Sequence, residues 1–212
     1  NRYAIRLAGI ARRLEETRAI TATLTERLEP GAEWVYTPYE ARNISALVEL
    51  GRRDDAVALL DFLLGCRRPA AWNHLAEVVV SDPRKGTYIG DMPHTWVGSD
   101  LVNAVRQMLV QEEDGRLVLL KGTPERWVRD GQGLRVERLP THFGPLTMSA
   151  RQANERLTVR IESPLRAPDG IEIFWPRTGK PARVLCDGEP LQNADATSCR
   201  VPSGAREVEA TW

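Results

Sequence analysis

The chain has 212 residues, long enough for one large domain or two small ones, and its 29 basic side chains balance its 29 acidic ones. Such a balance leaves no long-range field of one sign to gather nucleic acid or an anionic membrane surface, so a neutral partner is expected. No run reaches the roughly 18 to 20 apolar residues that span a bilayer, and the opening Asn1-Arg2-Tyr3-Ala4-Ile5-Arg6 lacks the charged head and apolar core of a signal peptide.

The first pattern is helical. Leu7, Ile10, Leu14, Leu24 and Leu28 fall at steps of three and four, with Thr17 and Thr21 filling the gap, which predicts an amphipathic helix over residues 3 to 28 stopped by Pro30-Gly31. A helical pattern under way so early, with no Met before it, reads as a fragment whose upstream part is missing; a trimmed N-terminus would look the same. Ile44, Leu47 and Val48 predict a second helix ending near Gly51. A third starts with Asp54 or Asp55 as its N-cap and ends at Gly65, and so short a connection makes the two an αα-hairpin. Val97, Leu101, Val105 and Met108 predict a fourth helix after Pro93, ending between Glu112 and Gly115.

From Arg116 the texture changes to short Val, Ile, Leu and Thr runs broken by Gly, Pro, Asp and Asn, the pattern of a small all-β domain. Strands are expected at 116–120, 134–139, 146–151, 156–162, 170–175, 182–186 and 207–212, with a helical turn at Pro124-Glu125-Arg126-Trp127. Strict alternation of Leu157, Val159 and Ile161 with Thr158 and Arg160 gives one buried and one wet face. The expected class is therefore α+β multidomain. Residues 1–115 would supply partial (α/α)-barrel helices, and residues 116–212 an antiparallel β-sandwich. Trp34, Trp127, Trp175 and Trp212 are read as packing residues.

Cys66, Cys186 and Cys199 have no metal-like spacing, and their odd number argues against a disulfide framework. Reduced, unligated thiols are the plainer reading, although Cys186 and Cys199 could meet across the β domain. The cytoplasm is slightly favoured on this ground, with periplasmic or secreted locations open. No metal site is expected, because no ligands recur at recognisable spacings, and no cofactor is expected either.

Chemistry concentrates between Pro69 and Asp100. Trp72-Asn73-His74-Leu75-Ala76-Glu77 is followed by Gly90-Asp91-Met92-Pro93-His94-Thr95-Trp96-Val97-Gly98-Ser99-Asp100. These residue types suit sugar: planar hydrogen-bonding groups hold hydroxyls, indole faces lie against ring C–H surfaces, and a carboxylate can take a proton from water. Trp-Asn-His-x-x-Glu, a loop, then Gly-Asp-Met-Pro-His-Thr-Trp-Val-Gly-Ser-Asp before an apolar helix and a β domain resembles the C-terminal section of six-hairpin, (α/α)6-barrel glycosidases. Within them it is most similar to α-L-rhamnosidase-like and related bacterial glycoside hydrolases.

That resemblance implies a C-terminal portion of a glycoside hydrolase acting on a neutral glycan. Glu77 matches the family's general base, which activates water in an inverting mechanism. His94 matches a His near the sugar, implying a hydroxyl donor or orienting group. Trp72 and Trp96 would be ring platforms, and Asn73 and Asp91 would bind hydroxyls. The general acid lies upstream in the family; Glu40, in Tyr36-Thr37-Pro38-Tyr39-Glu40, is the best substitute within this chain. The implied partners are a carbohydrate substrate and the missing N-terminal barrel region or another subunit, which would cover the faces carrying Leu7, Leu14, Leu47 and Leu60. No nucleic acid and no membrane are expected.

Plainer readings stand beside these. On these, Glu77 pairs with an Arg, Asp91 serves an Asx turn next to Gly90, and His94 makes a structural hydrogen bond. His74 and His142 read as structural, and Ser99 as a helix-start cap rather than a nucleophile, there being no Gly-x-Ser-x-Gly elbow. A reading of another class is a non-catalytic carbohydrate-binding or scaffolding module.

Overall fold

The computed structural model describes residues 26, 29, 31–33, 35–36, 38–67, 70–82, 84, 89–129 and 131–212. The expected first helix, apart from Glu26, lies outside the described residues, as do Trp34 and Tyr88. The chain is a mixed α and β structure that divides into two units, Asn1–Gln107 and Met108–Trp212. No helix among the described residues is long and apolar enough to cross a membrane.

In the first unit, a 3-10 turn at Pro38–Ala41 leads into α1 (Arg42–Glu49), followed by α2 (Arg53–Gly65). Ile44, Leu47 and Val48 of α1 and Leu59, Leu60 and Leu63 of α2 are buried, as their helical spacing requires. Gly51 takes a positive φ of 71° after α1, and the Arg52 amide donates back to the Leu47 carbonyl at 2.8 Å, which closes the connection between the two helices. The Asp cap expected for α2 is absent. Arg52 stands at the cap position and makes no side-chain capping bond, while Asp54 and Asp55 lie in the first turn, where they complement the helix dipole. The Asp55 carboxylate instead accepts from Arg52 Nε at 2.7 Å. Leu47 and Leu60 are covered within this chain, so these two positions need no outside partner; Leu7 and Leu14 fall outside the described residues.

Two short strands, β1 (Val35–Tyr36) and β2 (Val79–Val80), pair antiparallel, with Tyr36 opposite Val79. Helix α3 spans Thr95–Leu109. It ends before the expected Glu112, because Val110–Glu113 leaves the helix to form strand β3 against β4 (Arg116–Leu119). Asp114 and Gly115, at φ 44° and 84°, supply the two left-handed residues of a tight hairpin turn. A Cβ on Gly115 would come within 2.3 Å of Asp169 Oδ2. The second unit therefore begins earlier than Arg116, and its hairpin was hidden by the polar sequence Gln111-Glu112-Glu113 running straight on from a helix.

The remaining expected strands all have counterparts: β5 (Leu134–Leu139), β6 (Leu146–Ala153), β7 (Arg156–Ile161), β8 (Ile171–Phe174), β9 (Arg183–Cys186) and β12 (Glu207–Thr211). Strands β10 (Glu189–Pro190) and β11 (Ser198–Val201) were not expected. The helical turn is α4 (Glu125–Arg129), tied to β6 by Gln152 Nε2 donating to Glu125 Oε1 at 2.9 Å. One sheet has the order β10-β9-β12-β7-β6-β5 and is antiparallel throughout. The other, β11-β8-β4-β3, departs from a purely antiparallel plan: β4 and β8 run parallel. Neither sheet closes on itself.

Both sheets feed one buried cluster, including Leu117 and Leu119 from β4, Met148 and Ala150 from β6, Leu157 and Val159 from β7, and Ile171 and Ile173 from β8. The alternation read in Leu157, Val159 and Ile161 is that of the buried face. Trp175 is buried with its indole N–H donating to the Asp195 carbonyl at 3.1 Å, and Trp212 meets it edge-on at 6.0 Å between centroids. Both act as packing residues. All three cysteines are free thiols, and burial, reinforced by nearby Cys186, Glu172 and Asp195, pushes Cys199 up to about 12.

Candidate functional site

The site is made by two non-helical segments of the first unit running side by side in opposite directions. The Glu77 amide donates to the Asp91 carbonyl at 3.1 Å, the Val78 amide to Ile89 at 3.0 Å, and the His94 amide to Leu75 at 3.0 Å. Leu75, Ala76 and Val79 are buried, so the segment is anchored from below while Glu77 points outward. Gly90 makes the approach possible. Its φ is +67°, and a Cβ there would lie 2.3 Å from Glu77 Oε2 and 2.6 Å from Glu77 Cβ, so the Glu77 side chain lies across bare backbone.

This return brings together three residues that sequence reasoning had singled out separately. One donor atom from each of Glu77, Asp91 and His94 lies within 4.8 Å of the others. His94 Nε2 stands 3.9 Å from Glu77 Oε1, with the imidazole 11% exposed and the carboxylate 36% exposed. His94 also starts α3, its carbonyl accepting from the Gly98 amide at 3.1 Å. Trp96, in the first turn of α3, is 66% exposed, and its ring centroid lies 6.2 Å from that of His94 at a 42° tilt. An imidazole-flanked carboxylate beside an uncovered indole is thus built on a helix start and one glycine.

Other expected residues have settings of their own. Trp72 ends the 3-10 turn Ala70–Trp72 and is 67% exposed, while the Asn73 side-chain carbonyl accepts from Arg67 Nη1, committing it to its own loop. Glu40 lies on the 3-10 turn after β1; the β1–β2 ladder carries that segment alongside the one that presents Glu77, but the convergent group does not include Glu40. His74 is exposed, and His142 is exposed with its Nε2 3.3 Å from Glu112. Ser99 is not a cap: it lies inside α3, and its hydroxyl donates to the Trp96 carbonyl at 2.9 Å. Asp100, the next residue within α3, accepts from Arg42 Nε at 2.7 Å and so ties α3 to α1.

Asp91 comes close to Glu77 because their two segments run side by side. Two extended segments on either side of the turn-rich Asp82-Pro83-Arg84-Lys85-Gly86 were the available signal, since such a stretch can fold the chain back on itself. With oxygens inside 4.8 Å, Asp91 stands too near Glu77 to be the opposing acid of an inverting pair, which needs about 6.5–9.5 Å. The imidazole and two carboxylates are also the donor types of a divalent transition ion. The 3.9 Å from His94 Nε2 to Glu77 Oε1 exceeds the roughly 3.4 Å between neighbouring ligands in a tetrahedral shell with bonds of about 2.0–2.2 Å, so these side chains would have to draw inward to close on an ion. Comparison with protein families, curated proteins and solved structures finds no match to this chain.

Proposed function

We propose that this chain supplies the general-base side of a glycoside hydrolase active site acting on a neutral glycan. Its helices would belong to an (α/α) barrel, and its two sheets, sharing one core, would form a β-sandwich. The observation that carries the reading is the convergence of Glu77, Asp91 and His94 beside the uncovered Trp96. Glu77 would take a proton from a water whose oxygen attacks the anomeric carbon. As the bond to the leaving oxygen breaks, that oxygen takes a proton from an acid on another segment, for which Glu40 is the candidate within this chain. His94 and Asp91 would orient the water and ring hydroxyls, and Trp96 would carry a sugar face.

The test replaces Glu77 by Gln in the full-length polypeptide and follows both hydrolysis of a panel of aryl glycosides and glycan affinity. Turnover should fall about 10²–10⁴-fold with affinity retained. Turnover should also survive EDTA, because the base acts without an ion. Unchanged turnover in the variant removes Glu77 from the mechanism. A parent protein that binds glycan without hydrolysing anything makes the chain a carbohydrate-binding module instead.

A further inference from the structure

The outward face of β6 and β7 carries a feature that the hydrolase reading leaves unused. Along these strands Met148, Ala150, Leu157 and Val159 point into the core, so Ser149, Arg151, Arg156, Thr158 and Arg160 point out. The register sets Ser149 opposite Arg160 and Arg151 opposite Thr158. Arg151 is therefore diagonal to both Arg156 and Arg160, at the roughly 7–8 Å spacing of such neighbours. These side chains, with Gln132, line an open cleft of about 350 Å³, within the ~300–1,000 Å³ of small-molecule sites.

Charge in the cleft is one-sided. Arg160 Nε binds Glu207 at 2.6 Å and Arg156 Nη1 approaches Glu209 at 3.5 Å, but both glutamates belong to β12, on the side of β7 away from β6. Arg151, on β6, has no ion-pair partner among the described residues. Among the described residues the lining thus holds three guanidinium groups, two hydroxyls and an amide, and no carboxylate. Glu207 and Glu209 compensate Arg160 and Arg156, so Arg151 is the guanidinium left to take an anion, and the planar fork of arginine matches a carboxylate in two-point contact. The hydroxyl and amide groups suit a polyol frame around that carboxylate. Among the described residues no aromatic ring lines the cleft, so none of them would stack a nucleic-acid base.

We propose that this cleft binds a carboxylate-bearing saccharide, with Arg151 making the principal charge contact. That the ligand is a saccharide rests on the glycan reading above; that it is an anion rests on the cleft alone. The test is calorimetric titration of the 212-residue chain with a disaccharide of uronic acids, its neutral methyl ester, and sodium sulfate. The diuronate should bind one per chain and weaken as salt rises, with the ester and sulfate each about 10-fold weaker or more. Arg151→Gln should cost about 10-fold in diuronate affinity without changing the melting temperature, while Arg183→Gln, on β9 beyond β12, changes affinity less than about 2-fold. No diuronate binding, equal binding of the ester or of sulfate, or an unaffected Arg151→Gln variant each overturns the proposal. Glu77→Gln should leave this binding intact, so loss of the hydrolase reading and loss of the cleft are read in separate experiments.

Discussion

The β unit and the Glu77–His94 region hold their shapes by different means. In the β unit, strand ladders place alternate side chains in one core, and Trp175, Leu157, Val159 and Ile173 are buried together. Around Glu77, three backbone hydrogen bonds and one glycine hold the two segments together, with the reactive groups left partly in water. The difference teaches that the first region draws stability from many interchangeable apolar contacts, whereas the second depends on a few atoms that nothing nearby replaces. Small changes should accordingly be felt globally in one and locally in the other.

The largest expected effect is on the core side of that contrast. Trp175→Ala removes a buried indole, its bond to Asp195 and its edge contact with Trp212, and should lower stability by about 3–5 kcal/mol in urea unfolding. A loss below about 1 kcal/mol would mean that the cluster is looser than its burial indicates.

Gly90→Ala should come next, at about 1–3 kcal/mol, because it puts a Cβ both at positive φ and against the Glu77 carboxylate. Hydrogen exchange sharpens the comparison here. Protection at the Glu77, Val78 and His94 amides should fall while residues Met108–Trp212 keep theirs. Equal loss in both units would erase the distinction between local and global.

Asp195 gives a smaller effect with a definite sign. Its carboxylate accepts from Thr197 Oγ1 and Thr197 N at 2.7 Å and from Ser198 N at 2.9 Å, and these bonds, the Thr197 hydroxyl first, hold it below the ordinary aspartate value. A carboxylate depressed in the folded state contributes stability that is complete above its unfolded value of about 3.9 and is lost as pH falls through the lower folded value. On so exposed a turn the contribution should stay under about 1 kcal/mol. Wild type and Asp195→Ala should therefore differ most near neutral pH and converge under strong acid, as read from melting curves between those limits.

Trp96→Ala should move stability least, within about 0.5 kcal/mol, since the indole is mostly in water. Its effect should appear instead as weaker glycan binding at unchanged melting temperature. A variant that loses stability and keeps affinity would make Trp96 a packing residue and remove the platform from the site.

Much of this was legible in the residues. The αα-hairpin followed from Ile44, Leu47, Leu59 and Leu63 at helical steps, and the main strands from alternations such as Leu157-Thr158-Val159, because periodic burial writes itself into local sequence. Glu77, Asp91, His94 and Trp96 were identifiable as a set by chemical type. Strand β3 escaped because its residues are polar, and its signal lay in Asp114-Gly115 rather than in the strand.

Type, period and turn chemistry are properties of neighbouring residues, so the sequence alone determined which segments are helical, which are extended, and which side chains are chemically competent. Only the tertiary structure decided that Asp91 and His94 return to Glu77 while Asn73 turns to Arg67, and that Arg151 faces the same cleft as Arg156 and Arg160. Such convergence depends on how non-repeating segments and strand registers bring distant residues together, and no local pattern carries that information.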